Sequence, residues 1–214
     1  MNQIEYIRRE LRRNPQRYQQ MDRYTRTKQF ILDKLEKGLP QNLYYHSYNH
    51  VLDVLEAADR LGEKEGIPET ELELLRVAVL FHDSGYIISS KEHESLSCQI
   101  AKEDLPSLGY EEKEIECICS MIMATRYPQQ PSNKLEEIIC DADLDYLGRD
   151  DFFKIGSQLY RELNVYGLFA DENDWNKFQE SFLSKHHYFT KSAKEMRENK
   201  KNLHLKKIRE SLNK

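Results

Sequence analysis

The sequence predicts an all-α fold, a single-domain multi-helix bundle, and three observations carry that reading. Apolar residues recur at helical spacing in nearly every segment, and no stretch alternates in the two-residue rhythm of a strand. Only eight glycines and six prolines occur in 214 residues, so loops are few and short. Apolar residues make up 39% and charged residues 32%, the balance of a globular chain long enough to bury a core.

The elements follow in order. Two N-terminal helices are broken at Asn14-Pro15 and ended by Pro40, because proline lacks the amide a helix interior needs. A helix over 47–62 repeats Val54, Ala58 and Leu61 on one face. The next, over 69–83, has Thr70 as its cap and Leu72, Leu75 and Val79 as its stripe, and Gly85 ends it. Further helices are expected over 93–104, 111–126, 134–147, 150–164 and 172–189, with "YPQQPSNK" a loop by its prolines. The organisation expected is N-terminal helices at 1–42 packing on a core domain at 43–190, followed by a basic C-terminal helix at 191–214.

Charge is uneven along this chain. Residues 1–30 hold eight basic groups against three acids and residues 191–214 hold nine against three, leaving the middle with fifteen basic against thirty-one acidic groups. An acidic body argues against a nucleic-acid face, and the basic tail reads as a solvated helix. No run approaches the length of apolar residues a membrane span needs. The N-terminus has no apolar signal region, so a cytoplasmic location is expected. Cys98, Cys117, Cys119 and Cys140 form no CxxC pair and read as reduced, buried thiols.

Histidines and aspartates within the most apolar segments need a reason. His50 shares a face with Val54, Ala58 and Leu61, and His46 lies one turn earlier at the helix start. His82 continues the stripe of Leu72, Leu75 and Val79, and Asp83 follows it. An ionised carboxylate buried there costs several kcal/mol unless it is paired or coordinated. In "LEEIICDADLDYLG" the stripe is Leu135, Ile138, Ile139, Ala142 and Tyr146. Asp143 borders it, Asp145 is also near its edge, and the row Glu137, Asp141, Asp145 is better suited to water. His50, His82, Asp83 and Asp143 make a mixed imidazole and carboxylate set, which suits a divalent cation: Mn, Fe, Co, Ni or Zn, or Mg through the carboxylates. Four such ligands leave positions open, as in a catalytic site.

The ordered pattern H…HD…D, with "YHSYNH" before it and "DADLDYLG" closing it, resembles the HD superfamily of metal-dependent phosphohydrolases over roughly 43–190. The likeness is nearest to small stand-alone bacterial HD phosphohydrolases with a YHxxxH opening and a DADLxxLG ending, and more distant to the cyclic nucleotide phosphodiesterases. It implies a helical bundle of the HD-domain type. The metal ligands it implies are His50, His82, Asp83 and Asp143, with His46 as proton donor. His93 is the only histidine between Asp83 and Asp143, so the full histidine set of the di-iron oxygenase branch is absent. His93 is a candidate for a second metal or a phosphate contact, and Arg126 for a phosphate clamp. His186 and His187 match no ligand position and read as packing or surface residues.

The expected function is therefore metal-dependent hydrolysis of a phosphate ester, a monoester or diester and foremost a nucleotide. The cation would activate water, Asp83 or an acidic neighbour would accept its proton, and His46 would donate to the leaving oxygen. The alternative is a catalytically silent metal- or nucleotide-binding sensor domain, which would keep the same four ligands.

Overall fold

The computed structural model describes residues 21–165 and 167–213, and among these every regular element is helical. The first N-terminal helix and its Asn14-Pro15 break lie outside the described residues. Helix α1 (Arg23–Gly38) starts on Asp22, whose carboxylate accepts from the Thr25 amide at 2.8 Å, and it stops before Pro40. Helix α2 (Tyr48–Glu65) closes on Gly66 in the left-handed region, φ 73°, where a glycine bears no steric penalty.

Helix α3 (Glu69–Phe81) is the hub. Leu72, Leu75 and the run Val77 to Phe81 are all buried, and the helix contacts α1, α2 and the three helices that follow it, α4 (His93–Leu108), α5 (Glu112–Ala124) and α6 (Lys134–Asp143). Apolar residues all round a helix mean burial on every side. Thr70 does not cap it: Pro68 occupies the cap position, and Thr70 lies in the first turn. The regular helix also ends earlier than its stripe suggests. His82 terminates it, and Ser84–Ile87 form a 3-10 turn.

Gly85 makes that turn possible. A Cβ there would stand 2.0 Å from the carbonyl oxygen of His93, so only glycine lets the chain after Asp83 press against the start of α4.

Helix α6 likewise stops at Asp143 and tightens into a 3-10 turn, Asp145–Gly148. Helices α7 (Phe152–Asn164) and α8 (Glu172–Lys185) follow. A last segment runs Lys191–Ala193, through a π turn at Lys194–Glu198, into α9 (Asn199–Leu212). That basic helix is not solvated all round, as its charge suggested. Lys201, His204 and Ile208 are buried, because α9 packs on α8 and on the Asp145–Gly148 turn.

Two aspartates expected to face water are buried instead. Asp141 accepts from the Phe189 amide (2.8 Å), the Thr190 amide (2.8 Å) and the Thr190 hydroxyl (2.7 Å). Asp145 accepts from Arg60 (2.9 Å) and, through two nitrogens, from Arg197 (2.7 and 3.0 Å). Both carboxylates find partners from distant segments, which makes their burial tolerable. The four cysteines are free thiols, three of them buried and Cys117 half-buried.

Candidate metal centre

Three chain segments converge at one point: the first turn of α2 carries His50, the end of α3 carries His82 and Asp83, and the last residue of α6 is Asp143. His50 Nε2 lies 3.2 Å from Asp143 Oδ1 and 3.5 Å from Asp83 Oδ2. His82 Nε2 lies 3.2 Å from Asp83 Oδ2 and 3.6 Å from Asp143 Oδ1. Ligand atoms of His50, His82 and Asp83, all buried, fall within 4.8 Å of one another, close enough to hold one metal ion.

The donor set passes a test for a cation. His82 Nε2 and Asp83 Oδ2 are fully buried, yet neither has a hydrogen-bond partner. Orphaned buried polar atoms are costly, and a cation between them would satisfy both. The other ring nitrogen of His82 donates to the Val79 carbonyl at 2.7 Å, which fixes the tautomer that leaves Nε2 to face the cluster.

The electrostatics agree. Burial alone would lower the pKa of His82, but the charges of Asp83 and Asp143 hold it well above the ordinary imidazole value. Burial alone would raise the two carboxyls, but His82 acting on Asp83, and His50 with His82 acting on Asp143, hold both well below the usual carboxylate range. A proton on His82 thus stands where a cation's charge is called for.

His46 lies beside this cluster rather than in it. Its Nδ1 contacts Glu162 Oε1, and Glu162 Oε2 accepts from the backbone amides of Tyr45 (2.8 Å) and His46 (3.1 Å). Its Nε2 meets the Tyr86 hydroxyl at 3.2 Å. Burial works to lower the pKa of His46, but the hydrogen bond to Glu162 and the charge of Asp83 raise it above the ordinary value. Nothing in the local spacing of the sequence marks Glu162 or Tyr86 as part of this site. The only hint is Glu162 at an otherwise inward-facing position of α7.

His93 is brought to the edge of the cluster, its Nε2 3.5 Å from both Asp83 Oδ1 and Glu94 Oε1. The Tyr86 ring packs against both His46 and His93, 4.4 Å from each, and the two imidazoles are 6.2 Å apart. Arg126 pairs with Glu92 at 2.7 Å, donates to Ser95 at 3.0 Å and approaches Glu94 at 3.6 Å, so its fork is engaged at the protein surface. His187 is exposed, whereas His186 is half-buried and lies near the Lys201 ammonium.

His46, Asp83, His93 and Asp143 line one end of a cavity of about 340 Å³. No helix among the described residues is long and apolar enough to cross a membrane.

Comparison with known proteins accords with this geometry. The HD domain family matches residues 47–145. No curated protein sequence matches the chain. Two solved structures share its fold at 19% identity. One is a predicted HD superfamily hydrolase from an uncultured Thermotogales bacterium, with a TM-score of 0.58, covering 86% of this chain and 90% of that one. The other is Bacillus subtilis YpgQ in complex with ADP, with a TM-score of 0.60, covering 86% of this chain and 94% of that one. The stretch that matches the HD domain family, residues 47–145, contains His50, His82, Asp83 and Asp143.

Proposed function

We propose that the chain is a metal-dependent hydrolase of phosphate esters, with nucleotides among its substrates, and that His50, His82, Asp83 and Asp143 hold a divalent cation. One observation supports this above the others: His50 and His82 converge on Asp83 and Asp143, and those two carboxylates open with His46 onto a single cavity, the ring of His46 being held by Glu162 outside the ligand set. A divalent ion bound there supplies Lewis-acid chemistry, acidifying water and neutralising phosphoryl charge.

The chain's own groups do the rest. Asp83 and Asp143 stay ionised and keep the cluster anionic. Glu162 fixes the tautomer and orientation of His46, and the raised pKa keeps a proton available near neutral pH. His46 Nε2 is then the atom that delivers a proton to the leaving oxygen. Asp83 Oδ1, on the side facing His93, is placed to accept a proton from the attacking water. YpgQ, similar in fold, binds ADP, which supports a nucleotide among the first substrates to test.

The test is phosphate release from a panel of nucleotides and simple esters in Mn²⁺ or Mg²⁺, with and without chelator. Metal-dependent release is expected. Tight metal and nucleotide binding without release from any ester would favour a sensor domain instead.

A further inference from the structure

The cavity that opens on His46, Asp83 and Asp143 continues away from them between α7 and α8, where its wall changes chemistry. Trp175, Phe178 and Phe182 follow at three- and four-residue spacing, so one face of α8 turns aromatic rings toward this space. Trp175 and Phe178 stack at 5.5 Å, Phe178 and Phe182 at 6.3 Å, and Tyr127 from the proline-rich loop reaches Phe182 at 5.3 Å. Across from them α7 contributes Leu159 and Gly156. A Cβ on Gly156 would stand 3.9 Å from the Trp175 ring and 3.2 Å from Gln179 Oε1. Even a Cβ at 156 therefore presses on Gln179, and a longer side chain must displace it and narrow the cleft. Phe178 and Tyr127 are 41% and 56% exposed at its rim. Trp175 is backed by Tyr160 and Phe169 and is itself buried, whereas the exposed rings of Phe178 and Tyr127, continuous with a polar reaction centre, mark a ligand cleft rather than an unfinished core.

We infer that the cleft takes a flat aromatic group of the substrate, so that the protein selects phosphate esters by their non-phosphoryl part. This rests on the hydrolase reading above. The phosphoryl group lies at the His46 and Asp83 end, and the ring lies against the face formed by Trp175, Phe178 and Phe182. A nucleobase and a simple aryl ring share this chemistry. A small polar ester such as glycerol 2-phosphate fills only the polar end and leaves the rings wet.

Trp175 is the single tryptophan of the chain, so its fluorescence reports occupancy of the cleft without turnover. The full chain in Mg²⁺ is titrated with benzylphosphonate and methylphosphonate, which carry no hydrolysable ester. Benzylphosphonate is expected to alter Trp175 emission and to bind at least about tenfold more tightly, the scale on which an apolar pocket discriminates. Gly156→Leu, which narrows the cleft, and Phe178→Ser, a substitution at its rim, both checked for folding by circular dichroism, should each bring the two dissociation constants within about threefold of each other. In turnover, benzyl phosphate and AMP, alkyl esters with leaving groups comparable to that of glycerol 2-phosphate, should both exceed it in kcat/KM, and the faster of the two identifies the ring as aryl or nucleobase. Equal affinity for the two phosphonates, or a preference that survives both substitutions, overturns the inference. Equal turnover of all three esters overturns it while leaving the hydrolase reading intact. A ring preference in binding with no phosphate release from any ester keeps the inference and removes the hydrolase reading.

Discussion

Glu162 holds His46 by both its ring and its backbone: one carboxylate oxygen contacts the imidazole Nδ1, and the other accepts from the amides of Tyr45 and His46. The side chain is therefore fixed from behind, with Nε2 meeting the Tyr86 hydroxyl at the other end of the ring. Glu162→Gln keeps the shape but removes the charge that raises the His46 pKa. With nucleotide or alkyl esters, kcat should fall by about 10- to 100-fold, the usual cost of losing an orienting partner. The alkaline limb of the pH profile should also move to lower pH, because the acid form of His46 is then lost earlier. An aryl ester whose leaving group needs no proton should lose far less. An unshifted pH profile would place Glu162 outside the proton path.

His46→Ala separates the proton donor from the ligands. Turnover of alkyl esters should fall by about 10²- to 10⁴-fold, the contribution typical of a general acid, while bound metal measured by elemental analysis is unchanged. Loss of metal in this variant would make His46 a ligand.

Metal affinity should rise with pH. His82 keeps its proton in the metal-free protein above the ordinary imidazole value of 6.5, and a cation must displace it. Each step up in pH through that range removes a competitor, so affinity climbs and levels off only above the raised pKa. The same shift acts on stability. A folded-state imidazole pKa above the unfolded value contributes stability that is present in full below 6.5 and is lost as pH rises through the raised value. The Tm gain on adding Mn²⁺ should therefore grow from pH 6 to pH 8. Calorimetry at several pH values with and without metal checks this, and a gain that shrinks with pH contradicts it.

Asp145 joins α2, the Asp145–Gly148 turn and the start of the last helix through Arg60 and Arg197. It is buried, while the arginines are partly solvent-exposed. Asp145→Ala should destabilise by about 2 to 4 kcal/mol, somewhat below the cost of breaking a fully buried pair because water reaches the guanidinium groups. Urea unfolding of the variant measures it.

Asp141 anchors the segment entering the last helix through three donors on Phe189 and Thr190. Asp141→Ala leaves them unpaired and should cost about 2 to 4 kcal/mol. Burial pushes the Asp141 carboxyl up to about 6 although those donors favour its ionised form. The part of its contribution linked to the proton is thus present below the ordinary value of 3.8 and is lost as pH rises through about 6, while the bonds from Phe189 and Thr190 remain. Asp141→Asn, which cannot ionise, should flatten this part of the stability profile.

The contrast between Asp143 and its neighbours shows what the sequence makes legible. His50 and His82 lie on stripes with Val54 and Val79, and Asp143 borders a third stripe, so amphipathic periodicity alone points all three inward. The helical architecture follows from the same periodicity. Asp141 and Asp145 are misplaced by that rule, because their partners come from segments 48, 52 and 85 residues away. Glu162 is hidden for the same reason: it meets His46 across 116 residues. Local spacing reports which face is apolar, whereas a buried polar group is decided by the distant donor that satisfies it. Thr70 fails as a cap because Pro68, with its fixed φ, already sets the helix start.

Metal content bears most directly on the central claim, that His50, His82, Asp83 and Asp143 grip a single divalent ion. The chain is saturated with Mn²⁺, freed of excess, and analysed for metal beside Asp143→Ala and His82→Ala variants whose folding is checked by circular dichroism. About one tightly held ion per wild-type chain is expected, with at least about a 100-fold loss of affinity in each variant. Wild-type protein that retains no metal, or folded variants that retain it as tightly as the wild type, would contradict it.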